Sequence, residues 1–85
     1  MRVEDEIRGK LEAVFDPRLL EVIDESEKHR GHAGYQEGGQ SHFQVRIAAE
    51  AFENMSRLAR HRAVHDALGA ALIGRIHALG LTIEA

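Results

Sequence analysis

The stretch His42-Phe43-Gln44-Val45-Arg46-Ile47 decides the fold. Phe43, Val45 and Ile47 alternate with His42, Gln44 and Arg46, and a period of two is the signature of a strand with one face in a core and one in water. On the C-terminal side, Ala49-Glu50-Ala51-Phe52-Glu53 suits a single helical turn. Ser56 is a natural N-cap for a longer helix, in which Leu58, His61, Val64, Leu68, Ala71 and Leu72 share a face and which Gly74 is placed to stop. A last strand follows, with His77, Leu79, Leu81 and Ile83 alternating with Ala78, Gly80 and Thr82.

On the N-terminal side, residues 27–40 carry four glycines among polar side chains and read as a loop that is long for a two-strand connection. The apolar run Leu19-Leu20-Glu21-Val22-Ile23 before it reads as another strand. Val3, Ile7, Leu11, Val14 and Phe15 recur at three- and four-residue steps, the stripe of an amphipathic helix. Pro17 ends that helix, because the residue before a proline avoids helical dihedrals. The order is therefore α-β-β-α-α-β. The first two strands are expected to pair antiparallel. The helical crossover makes the second and third parallel if adjacent, with right-handed connection. The expected class is α+β: a three-stranded mixed sheet covered by helices on one face, in a single domain spanning residues 1–85.

Composition narrows the chemistry. Eighty-five residues make one modest core. No run of about 18 apolar residues exists to span a membrane. The start, Met-Arg-Val-Glu-Asp-Glu, has no signal-like apolar stretch, so the expected compartment is the cytoplasm. With no cysteine the chain has no disulfide, no thiolate nucleophile and no thiolate metal ligand. A net charge of −3 argues against a general nucleic-acid binder. Arg57, Arg60, Arg62 and Arg75 nevertheless cluster late in the chain, leaving room for a local basic surface. Asp24, Ser26 and His42 can be set out as a triad on paper, but nothing supplies a nucleophile elbow or oxyanion hole. The chain is read as a non-enzyme.

Six histidines are the main chemical clue. His77 stands at the start of the last strand. Read from residues alone, it is a rim histidine with one ring nitrogen hydrogen-bonded. His29 and His32 read as solvated loop residues. His42, on the polar side of its strand, reads as structural or surface, with metal ligation the minor alternative. His61 points to the apolar face of its helix, and His65 is exposed. His29-x-x-His32 alone is a weak site for zinc, nickel or copper, lacking a third ligand.

Four short pieces in fixed order carry a family resemblance: Asp24-Glu25-Ser26, Ser41-His42-Phe43, Arg60-His61-Arg62 and His77-Ala78-Leu79. With Ile7-Arg8-Gly9-Lys10-Leu11 and Phe15-Asp16-Pro17 at the front, the chain resembles the BolA family from near Ile7 to Ile83. The resemblance implies a fold related to one form of the KH domain (class II). It implies a partner of a monothiol glutaredoxin at a shared [2Fe-2S] cluster, in cluster trafficking or iron and redox sensing. His77 is the implied cluster ligand, with a second from the loop. His29, three residues after Ser26, is the closer match for the second, with His32 as the alternative. The glutaredoxin cysteine and a glutathione thiol would bring the sulfur ligands, and the isolated protein would hold no cofactor. The alternative implied role is a DNA-binding transcription regulator of stress response and cell shape. Arg57, Arg60 and Arg62 would then meet phosphates, with Lys28 and Arg30 as further candidates. Gly31-His32-Ala33-Gly34 fits the KH Gly-x-x-Gly, but it lies between two strands. The helix joint, Asn54-Met55-Ser56, has no glycine. Alone, the protein is expected to be a monomer or weak homodimer.

Overall fold

A computed structural model describes residues 2–25 and 42–85. The first element, α1 (Val3–Phe15), opens with Glu4, Asp5 and Glu6, acids that complement the positive end of the helix dipole. It closes at Asp16, whose φ of 46° and ψ of 57° are left-handed, and whose N–H donates to the Glu12 carbonyl. Ile7, Leu11 and Phe15 are buried, while Val14 is 59% exposed, against the stripe expected for it. At about 100° per residue Val14 lies about 60° from the centre of the buried arc, towards its edge.

Strand β1 (Leu19–Asp24) pairs antiparallel with β2 (His42–Ala48), in a register that sets Val22 against Val45 and Leu20 against Ile47. A 3-10 turn (Glu50–Phe52) follows, the single helical turn expected there, and Phe52 is fully buried. Its ring lies 4.7 Å, centroid to centroid, from that of Phe15. Ser56 caps the next helix, α2 (Arg57–Leu68), its Oγ accepting from the Ala59 N–H at 3.1 Å.

The helix expected to run on to Gly74 instead breaks at Gly69. That residue adopts φ 86° and ψ 150°, a region open essentially to glycine alone. The short α3 (Ala70–Ile73) starts in a new direction, so Leu72 enters the core while Ala71 is exposed. Leu58, expected on the apolar face, is 60% exposed; the inward residues of α2 are Val64 and Leu68.

Strand β3 (Ala78–Glu84) lies parallel to β2, in the order β1-β2-β3, with Phe43, Val45 and Ile47 opposite Leu79, Leu81 and Ile83. These alternate residues meet Ile7, Leu11, Phe52, Val64, Leu68 and Leu72 in one core. The expected α+β class with a three-stranded mixed sheet is therefore found. On the other sheet face Arg46 reaches Glu21 at 3.7 Å and Glu84 at 3.5 Å, a ladder across all three strands. No helix among the described residues is long and apolar enough to cross a membrane.

Candidate functional site

Parallel pairing puts the N-terminal ends of β2 and β3 side by side, with His42 in register with Ala78. His77, the residue just before β3, therefore stands beside His42. Their imidazole centroids are 4.9 Å apart, with ring planes inclined at 51°. The two rings differ in environment. His42 is only 5% exposed, whereas His77 is exposed. Expected on the polar side of β2 as a structural or surface residue, His42 is a buried side chain.

The approach to His77 is held at several points. Gly74 ends α3, its N–H donating to the Ala70 carbonyl at 2.9 Å, and the Arg75 N–H donates to that of Leu72 at 3.0 Å. The Arg75 guanidinium also pairs with the Glu6 carboxylate of α1. Ile76 packs on the core. An exposed imidazole thus projects from a backbone fixed on both sides. At the same sheet end, the Glu25 N–H donates to the His42 carbonyl at 2.7 Å, closing the base from which residues 26–41 leave β1 and rejoin β2. The loop candidates His29 and His32 lie outside the described residues, as do Lys28 and Arg30. Among the described residues no three His, Cys, Asp or Glu side chains are grouped so as to hold a metal ion.

The arginine candidates lie elsewhere. Arg57, Arg60 and His61 of α2, with Met55, Leu81, Thr82 and Ile83, line a groove of about 530 Å³. Leu81 and Ile83, only partly buried, add apolar surface to a lining that is mainly polar. Arg60 is half-buried. Its Nε donates to the Phe52 carbonyl at 3.0 Å, and Nη1 makes a long 3.5 Å contact with the Ile83 carbonyl. Arg62 is exposed beside a shallow depression shared with His61, His65 and Asp66. Arg57 and Arg60 are thus brought together, and Arg62 is not part of their groove. The groove opens against residues 81–83 and His77 precedes the strand, so at about 3.3 Å per residue the two places lie well over 10 Å apart.

The contact between His42 and His77 was missed by reading each strand alone. Its only sequence signal is that each histidine stands at the start of an alternating strand, and those strands must be parallel neighbours for the signal to count.

Residues 11–85 match the family model described as BolA-like protein. The chain is 44% identical over 79 residues to BolA-like protein 1 of Mus musculus, covering 93% of this chain and 55% of that protein, so it spans just over half of that relative. It is 38% identical over 81 residues to the DNA-binding transcriptional regulator BolA of Escherichia coli, covering 95% of this chain and 73% of the other. Among solved structures, the BolA domain of SufE1 from Arabidopsis thaliana superposes with a TM-score of 0.79 at 40% identity, covering 95% of this chain and 88% of that one.

Proposed function

Because the chain belongs to the BolA-like family, we propose that it is an accessory protein of iron–sulfur metabolism, docking on a monothiol glutaredoxin and sharing a [2Fe-2S] cluster with it. The observation that carries this reading is the exposed His77 imidazole, on a braced backbone, at the end of the sheet where residues 26–41 depart and return. Neutral imidazole replaces thiolate on one iron of Rieske centres, so the donor type fits. The chain has no cysteine, so any thiolates come from the partner and from glutathione. His77, with His29 or His32 from the loop, would hold the group. When bound, such a centre supplies one-electron chemistry and transferable iron and sulfide. The protein's own contribution is to present an exposed His77 on a braced backbone.

The test is an anaerobic absorption and circular dichroism titration of the protein into cluster-loaded monothiol glutaredoxin with glutathione. The expected result is an altered charge-transfer spectrum that is lost in His77→Ala. An identical spectrum from wild type and variant would sink the reading.

One observation favours a second reading, a DNA-binding regulator, the role in the name of the Escherichia coli relative. Arg57 and Arg60 share one groove with the N-terminal turn of α2. Phosphate contacts there would give affinity that falls steeply with salt. The net charge of −3 works against it. A gel shift that is salt-sensitive and lost in Arg57→Glu/Arg62→Glu would support this role, and no shift at low salt would exclude it.

A further inference from the structure

We infer that His42 is a positioning residue for His77: its buried ring forms a wall that holds the exposed imidazole in one orientation for ligation. The inference rests on His77 being a cluster donor, as proposed above.

A surface imidazole samples its rotamers on the picosecond-to-nanosecond scale. A ligand nitrogen must instead keep its lone pair aimed at one point, so freedom about the side-chain torsions weakens binding. His77 is exposed, and its backbone supports alone do not fix its ring. Among the described residues, the ring beside it is that of His42, 4.9 Å away and inclined at 51°, within the range of tilted contacts between aromatic rings. His42 is 5% exposed and sits at the first position of the central strand, in register with Ala78 of β3 and with its carbonyl accepting from the Glu25 N–H. It is therefore the immobile member of the pair. Burial also makes it a poor ligand itself, because its ring would have to leave its place to meet a group bound at the surface. Partners that orient a ligating histidine commonly govern metal affinity by about 10- to 100-fold.

The test uses the full chain, isotopically labelled, and reads the side-chain couplings of His77 by NMR. The wild type is expected to show one dominant χ1 rotamer and nuclear Overhauser contacts between the two rings. His42→Ala is expected to average the His77 rotamers, and His42→Phe, which keeps a ring in the wall, to restore them. In titrations against cluster-loaded glutaredoxin, His42→Ala should weaken the mixed complex by about ten-fold or more, with His42→Phe close to wild type. Rotamer averaging already present in the wild type overturns the inference, and that measurement needs no variant that must fold. A loss in His42→Phe as large as in His42→Ala also overturns it, because His42 would then act through its nitrogens. A spectrum indifferent to His77→Ala, with the ring contact still present, is a different failure. The reading of His77 is then wrong, and the inference falls with it.

Discussion

Gly9 and Gly69 look alike by space: a Cβ added at either would meet nothing within 4 Å. They differ in backbone. Gly9 lies inside α1 on its exposed side, and Gly69 holds φ 86° and ψ 150° between two helices. Gly9→Ala is expected to stabilise the fold by about 0.5–1 kcal/mol, through the entropy a helical glycine loses. Gly69→Ala is expected to destabilise it by about 1–3 kcal/mol, the cost of a side chain in that region of backbone space. Urea midpoints moving in opposite directions at constant slope would establish both, and a neutral Gly69→Ala would mean the break does not need glycine. This contrast marks the limit of reading residues alone. Gly74 was expected to stop the long helix because it follows the apolar pattern, but the pattern itself crosses Gly69 without interruption. Leu68 and Leu72, four residues apart, would share a face even in one unbroken helix; what the break at Gly69 changes is Ala71, which is exposed instead of joining them. Only packing chooses which glycine turns the chain. His77 was legible as a candidate only through the family resemblance, its residues alone giving a rim histidine. Its neighbour His42 was not, since a parallel register is a fact about two strands separated by a whole crossover.

At the scale of the element, α2 has two ends of its character in conflict. The Ser56 cap was legible from the sequence and is made as read. The role of Arg60 was not, because a guanidinium can face phosphate or tie down carbonyls with the same sequence. It does the latter here, joining the 3-10 turn to the end of β3. Arg57, by contrast, is an exposed base in the first turn, where the helix dipole favours an acid. Arg60→Ala is therefore expected to lose about 1 kcal/mol, the net worth of its hydrogen bond to Phe52, whose carbonyl keeps the bond from the Met55 N–H. Arg57→Glu should be neutral or should gain a few tenths of a kcal/mol, roughly the size of an exposed dipole effect. Thermal unfolding of the two variants separates these outcomes, and equal losses would show that Arg60 is held less firmly than its contacts indicate. The ordering also governs how the DNA-binding reading is tested. Arg57→Glu/Arg62→Glu removes charge without removing the tie, whereas any gel-shift loss in an Arg60 variant would confuse affinity with folding.

For the whole molecule, the sheet separates two surfaces. His77 lies just before the start of β3, and the arginine groove lies against Leu81–Ile83 near its end. The first surface has the exposed His77 imidazole beside the buried ring of His42. The second has the cations Arg57 and Arg60 beside Leu81 and Ile83. Residues more than about 7–10 Å apart with no shared partner behave additively, so these ends should answer separately to substitution. The double variant His77→Ala/Arg57→Glu is expected to change stability by the sum of the single changes, within about 0.5 kcal/mol. It should also lose the altered cluster spectrum as fully as His77→Ala does, while Arg57→Glu alone leaves that spectrum intact. If DNA is bound, the converse should hold: Arg57→Glu weakens the complex and His77→Ala does not. Coupling between the ends in the isolated protein, seen as a clear departure from additivity, would mean that β3 shifts as a unit when either end is altered. The rows that would resist such a shift are visible in the sheet. The Arg46 ladder to Glu21 and Glu84 binds all three strands, and Gln44 lies across Gly80, whose added Cβ would come within 3.0 Å of the Gln44 Cδ. Additivity is accordingly the expected result.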